Sequence, residues 1–424
     1  MTPKALYKYF KLQNEFLQLL FNIYHQFIHD NKVIFDLSIQ QQKPLASRSY
    51  NQWPCLALFM ASILVLSACT TQKPAGIGNP IEWNEVTGWN EDQHADSWPA
   101  LMNNCRVLIR HEAWSQICKA ARSLNSPDHK QAREFYETWF TPHAVHGADG
   151  KTTGLITGYY EPLLFGSTVP DENYRYPIYQ RPENLLRVDL SELYPELEGK
   201  RVRGRLEGNS VIPYFTREQI DSELNPLKGE ELLWLNDRDD VFFLHIQGSG
   251  RIKLTDGRII GAGYSDQNGH PYVAIGKVLI DWGELEREEV TLFSIREWLH
   301  DHPAQARVLL NQNPSYVFFE IRENVEEGPI GSLATPLTPE RSIAIDPSVI
   351  PLGTPIWLET YLPDNPEQPY NRLYMSQDTG GAIKGPLRAD IFWGNGDSAE
   401  YMAGLMKEQG KLIALLPKTS SIEE

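Results

Sequence analysis

Three aspartates near the C-terminal end sit where a carboxylate is expensive: Asp346 in AIDPSVIPLGT, Asp378 in QDTGGAIKG and Asp390 in ADIFWGNGD. Their surroundings are apolar or Gly-rich and strand-like, so each must be paired, shift its pKa or work chemically. Thr379-Gly380-Gly381 allows close backbone approach, and the loop through Lys384 and Gly385 would bring Asp378 and Asp390 near one another. Two neighbouring carboxylates do not both ionise easily, and burial against Ile391, Phe392 and Trp393 would raise the pKa of one of them further. The result is an acid that keeps its proton near neutral pH. Cleavage of a glycosidic bond needs such an acid, because the leaving oxygen must be protonated as an oxocarbenium-like state develops. The competing reading is that these aspartates satisfy backbone amides at tight turns, and for Asp346, ahead of Pro347, that structural role is the stronger one. Lys384 could contact a sugar or pair with Asp378.

Positioning these groups falls mainly to β structure. After Gly150 the chain breaks into short runs, LITGYYEPLLFGS, YRYPIYQRP, VFFLHIQGSGRIKL and GRIIGAGYS, punctuated by turn residues. This texture predicts a barrel or sandwich rather than a parallel α/β sheet. Helical spacing returns from Pro271 through His302, NPSYVFFEI reads as strand, and RENVEEGPIGSLATPLTPE reads as a linker. In the last block, Asp397 with Glu400 has the form of a capping box, with Gly410 as the stop before LIALL. Upstream, Ser126-Pro127 opens a helix whose Phe135, Tyr136, Trp139 and Phe140 form an apolar face, better suited to a core than to a ligand shelf.

Several motifs fail on inspection. Gly248-Ser249-Gly250 lacks the third glycine of a dinucleotide loop, His111-Glu112 has Ser115 where a zinc protease has histidine, and no Gly-x-Ser-x-Gly elbow exists. His300 and His302, around Asp301 and beside Pro303, read as a solvated helix end. A net charge of -16 without a basic stripe argues against a nucleic-acid partner. The 424 residues suffice for two domains.

The apolar run Cys55 to Ala68 follows Lys43 and Arg48, is short for a bilayer span, and ends in Leu66-Ser67-Ala68-Cys69. This resembles a bacterial lipoprotein signal, with a transmembrane anchor as the rival. Cys69 would then carry lipid as the first mature residue, and the resemblance implies that Thr70 and Thr71, rather than aspartate, favour the outer membrane. The segment Met1 to Pro44 suits no signal and points to an over-extended start, or else to a short N-terminal helix. Residues 69–90 read as a tether. Cys105 and Cys118 are either a disulfide or a buried free pair.

Taken together, TGYYEP (Thr157 to Pro162), YPIYQRP (Tyr176 to Pro182), FFLHIQGSGRI (Phe242 to Ile252), GYSDQNGHPYVAIGKVLID (Gly263 to Asp281), NPSYVFF (Asn313 to Phe319) and the three-aspartate module resemble the membrane-bound lytic murein transglycosylases of the A type. The resemblance spans nearly all of the mature chain and leaves out Met1 to Pro44. It implies a mainly β fold with some helices, in which a double-psi β-barrel (91–159 and 323–424) receives a smaller inserted β-barrel (160–322) across a groove. Residues 1–68 would be the upstream segment and signal. The implied substrate is the glycan strand of peptidoglycan, cut between N-acetylmuramic acid and N-acetylglucosamine with a 1,6-anhydro product.

Motif matching gives Asp390 the acid and base role and makes Asp378 its helper. Tyr160, His245, Gln247, Ser249 and Tyr264 become candidate groove residues, although strand-end hydrogen bonding accounts for Gln247 and Ser249 equally well. No cofactor or metal is implied. Implied partners are the glycan, the membrane through the N-terminal lipid, and cell-wall synthases and division proteins. A conventional glycosidase and a non-catalytic wall-binding lipoprotein are the rival readings.

Overall fold

The structure, a computed structural model, describes residues 75–418 apart from 198, 199 and 201. Cys69, the apolar run 55–68 and the segment 1–44 lie outside the described residues. No helix among the described residues is long and apolar enough to cross a membrane.

Six strands close into a barrel in the order Lys407–Pro417, Pro355–Glu359, Arg372–Asp378, Ser342–Ala344, Ala389–Asn395 and Gly154–Glu161, the last pairing back onto the first. Two contacts in this ring are parallel, Ser342–Ala344 with Arg372–Asp378 and Ala389–Asn395 with Gly154–Glu161, and the rest are antiparallel. Ile156, Ile343, Ile345, Ile356, Tyr374, Ala389, Ile391, Trp393, Leu412 and Ala414 fill one continuous core. Because strand side chains alternate with a period of two, Asp390 between Ala389 and Ile391 must point the other way, out of that core.

A second sheet is built from chain between the first barrel strand and the rest. Its order is Val317–Arg322, Ile259–Gln267, Gly250–Leu254, Leu163–Ser167, Glu231–Leu235 and Tyr176–Tyr179. A bridge between Gln180 and Phe319 joins its two ends, so this sheet also curls towards a barrel. Glu161 is fully buried where the chain leaves the first barrel, and it pairs with Arg251 at 2.8 Å and with Arg322 at 3.1 Å. One carboxylate therefore ties together the exit strand, an inner strand of the insert and the return strand.

An N-terminal layer covers the outer face of the large barrel. Helices Trp98–Leu108, Glu112–Leu124 and His129–Trp139 pack Leu101, Ile117, Phe135 and Tyr136 with Trp357, Leu373, Met375, Ile413 and Leu415 of the barrel strands. Cys105 and Cys118, both fully buried here, are disulfide-bonded. A buried ion pair from Arg341 to Asp92, at 2.7 Å, fastens the layer to the barrel.

Four local expectations are corrected. The tether over 69–90 is folded in its described part: Gly76–Pro80 pairs with strand Phe140–His146, and Val86 and Trp89 are core residues. VFFLHIQ is helical rather than extended, because the Asp237 carboxylate caps Arg238–Gln247 by accepting the Asp239 and Asp240 amides, and left-handed Gly248 ends it at φ 80°. Asp128, not Ser126, caps the aromatic helix, with Gln131 completing a capping box. Asp397 is the first helical residue of Asp397–Leu405 with Gly396 as its cap, no side-chain capping bond forms, and Gly410 lies inside strand Lys407–Pro417 rather than ending the helix.

Candidate active site

Ala344 is the register point of the site. It lies opposite Asp378 on one neighbouring strand and opposite Asp390 on the other, which puts the two carboxylates on strands either side of one three-residue strand. With about 4.8 Å between adjacent strands, their backbones stand roughly 10 Å apart. Asp390 in turn faces Thr157 on strand Gly154–Glu161. Beneath them Tyr159, Leu337, Ala344, Ile383 and Phe392 form a small apolar floor outside the barrel core.

The two carboxylates are held very differently. Asp378 accepts four hydrogen bonds: the Tyr159 hydroxyl reaches Oδ2 at 3.0 Å, and the Ser332 amide, the Ser332 hydroxyl and the Thr379 amide reach Oδ1 at 3.0, 2.9 and 2.9 Å. Burial pushes its pKa up while these donors pull it down, and the net direction is upward. A carboxylate surrounded by four donors is best served as an anion. Asp390 accepts from the Thr157 hydroxyl at 2.5 Å. Burial, and to a smaller degree the charge of Asp378, push Asp390 up to about 6, against the opposing pull of Arg388 and Thr157. Arg388 hydrogen-bonds the Thr157 hydroxyl and the Leu155 and Ala389 carbonyls, so it acts on Asp390 through Thr157 and through its charge.

The insert contributes Tyr272. Its hydroxyl is pushed up to about 12 by burial and by the charge of Asp390. A Cβ added at Gly381 would stand 3.8 Å from the Tyr272 Cβ, so this part of the insert faces the loop that joins the two aspartate strands.

Asp346 sits beside the site and takes part in its loop. Its Oδ2 accepts the Gly385 amide at 2.8 Å and its Oδ1 accepts the amide and hydroxyl of Ser348. Although burial opposes it, the hydrogen bond from Gly385, those from Ser348 and the charge of Lys384 hold this carboxyl below its ordinary value. The exposed Lys384 therefore acts on Asp346.

The other residues singled out in the sequence are dispersed. Tyr160 points into the barrel core and donates its hydroxyl to Glu400 at 2.9 Å, while its amide donates to Gln247 Oε1 at 3.0 Å. His245 is buried inside the insert between the Tyr316 and Phe319 rings, bonded to Arg217, and is kept from protonating by burial. Ser249 is half-buried in the turn before strand Gly250–Leu254, and Tyr264 is partly exposed on strand Ile259–Gln267. Residues not singled out are Thr157, Tyr159, Tyr272, Ser332 and Arg388. For Thr157, Tyr159 and Arg388 a signal existed, since strand alternation places each on the same side as Asp390.

Comparison with known proteins agrees with this architecture. Residues 155–320 match the MltA specific insert domain and residues 341–416 match the 3D domain. Membrane-bound lytic murein transglycosylase A of Escherichia coli strain K12 is 34% identical over 297 residues, covering 68% of this chain and 72% of that protein. A crystal structure of a membrane-bound lytic murein transglycosylase from Agrobacterium tumefaciens superposes with a TM-score of 0.73 at 29% identity, over 81% of this chain and 98% of that one. E. coli MltA with bound chitohexaose gives a TM-score of 0.59 at 28% identity, over 82% and 96% of the two chains. On its sequence, its paired barrels and its three-aspartate module, the chain belongs to the membrane-bound lytic murein transglycosylase A family.

Proposed function

We infer that the chain is a peptidoglycan lytic transglycosylase in which Asp390 serves first as acid and then as base. The observation that carries this reading is the contrast between the two carboxylates. Burial raises both, but Asp390 is pushed up to about 6 and takes one hydrogen bond, whereas Asp378 is saturated by four donors that oppose its rise.

Asp390 gives its proton to the glycosidic oxygen between N-acetylmuramic acid and N-acetylglucosamine as the C1–O bond breaks. The fixed negative charge of Asp378 favours the positive charge that develops at C1. The C6 hydroxyl of the same muramyl residue attacks C1, its proton passes to the Asp390 carboxylate, and a 1,6-anhydro ring results with no water consumed. A hydrolase would need a second carboxylate able to take a proton from water or to attack the sugar. Asp378, with both oxygens engaged, is poorly placed for either, which favours the intramolecular route.

The domain division that goes with this reading is 91–159 plus 323–424 for the catalytic barrel and 160–322 for the insert; strand membership favours it except at its edges, where Tyr160 and Glu161 still end a barrel strand and Gly76–Pro80 pairs with the first unit. Attachment to a membrane accords with the family; lipidation at Cys69 and placement on the periplasmic face of the outer membrane are the specific form proposed, with Thr70 and Thr71 in its favour. The test is mass spectrometry of sacculi digested by the purified protein. Anhydromuramyl ends are expected, and products uniformly heavier by one water would establish hydrolysis instead.

A further inference from the structure

Asp266, at the end of strand Ile259–Gln267, is almost wholly buried and is met by three guanidinium groups: Arg181 at 3.2 Å, Arg187 at 2.9 Å and Arg203 at 3.0 Å. One arginine would neutralise one buried carboxylate. The surplus is two positive charges on a chain whose net charge is -16. Among the described residues no second carboxylate pairs with any of the three. They are not equally buried: the Arg203 side chain is 12% exposed, Arg181 35% and Arg187 61%, so the cluster runs from a closed base to an open rim.

One short segment of the insert links this cluster to the candidate site. A Cβ at Gly269 would stand 2.6 Å from the Arg203 Cβ, and Tyr272, whose hydroxyl feels the charge of Asp390, is three residues further on. Three residues of extended chain span about 10 Å at most. All three meet Asp266 through Nε, but Arg181 also gives Nη2 to the Leu185 carbonyl and Arg203 gives Nη1 to the Val202 carbonyl, so the exposed Arg187 offers the fullest N–H edge to a second carboxylate.

We propose that Arg187, with Arg181 behind it, binds a free carboxylate of the stem peptide attached to the muramyl residue beside the scissile bond. The proposal rests on the peptidoglycan reading above and adds to it the part of the substrate that is not sugar. A stem of about four residues extends roughly 13 Å, enough to cover the span of about 10 Å at most from Tyr272 to Gly269, which packs on Arg203.

The test compares two substrates, peptide-bearing glycan strands and the same strands stripped of stems by an amidase, with the unmodified protein and with Arg187→Gln. The ratio of KM on peptide-bearing strands to KM on stripped strands is expected to rise about tenfold in Arg187→Gln, and Arg187→Lys should recover part of that change. Arg203 and Arg181 still neutralise Asp266 in both variants. A structural disturbance would move both KM values together, so an unchanged ratio overturns the site. Failure of the unmodified protein to cleave either substrate would overturn the peptidoglycan reading and the site with it, and its own activity distinguishes the two failures.

Discussion

At the scale of single residues, the contrast between Asp378 and Asp390 generates the sharpest expectations. Asp390→Asn should lower activity roughly 100-fold to 10,000-fold, the range for loss of a general acid. The same substitution should stabilise the fold at neutral pH. Folded Asp390 titrates near 6, above the ordinary 3.8, so the folded state binds more protons than the unfolded chain between these values and stability declines as pH rises through that window. Melting curves should therefore place Asp390→Asn above the parent at pH 7 to 8, by at most about 3 kcal/mol, and bring the two together below about pH 4. Activity should fall as pH rises through about 6 as the acid is lost. Because the Thr157 hydroxyl favours the ionised form, Thr157→Val should move that limb to higher pH, and a pH–rate profile that stays in place would refute the link. The carboxylates were legible in the sequence from their apolar setting. Their partners were less so: TGYYEP offers Tyr160 as readily as Tyr159, and in a strand one residue is the difference between the barrel core and the site.

At the scale of elements, the loop between the aspartate strands depends on Asp346. Asp346→Asn should lower stability by about 1–2 kcal/mol, since a charged acceptor for the Gly385 and Ser348 donors becomes neutral. A depressed carboxyl pKa contributes stability above its unfolded value and loses it as pH falls, so the difference between parent and variant should narrow in acid. Thermal melts across pH measure both effects, and equal melting at pH 7 would assign Asp346 another role. The strands and their order of texture could be read from turn residues and alternation. The Arg238–Gln247 helix could not be read from its apolar run, because Phe242, Phe243, Leu244 and His245 are all buried and leave no amphipathic stripe. Its Asp237 cap and Gly248 stop were the available signals. The stretch 322–340 reads as a linker, yet Ser332 within it donates twice to Asp378; a contact across 46 residues leaves no local trace.

At the scale of the whole molecule, the disulfide fastens the N-terminal helical layer to itself, not to the catalytic barrel. Replacing both Cys105 and Cys118 with alanine should cost about 2–3 kcal/mol for a loop of this size while sparing turnover. Denaturant titration alongside a cleavage assay tests this, and a large loss of turnover at full folding would tie the layer to the site. The paired-barrel plan was legible through motif resemblance, since composition alone indicated only short strands and turns.

Strand Gly154–Glu161 finds its barrel neighbours in Ala389–Asn395 and Lys407–Pro417, more than two hundred positions away, while the insert pairs almost entirely within itself. Such high contact order makes closure a late and slow event, one that needs the final strand to be present. The insert can then form beside a ring still open, and the burial that raises the proton affinity of Asp390 depends on strand Gly154–Glu161, whose Thr157 faces it, being held in that ring.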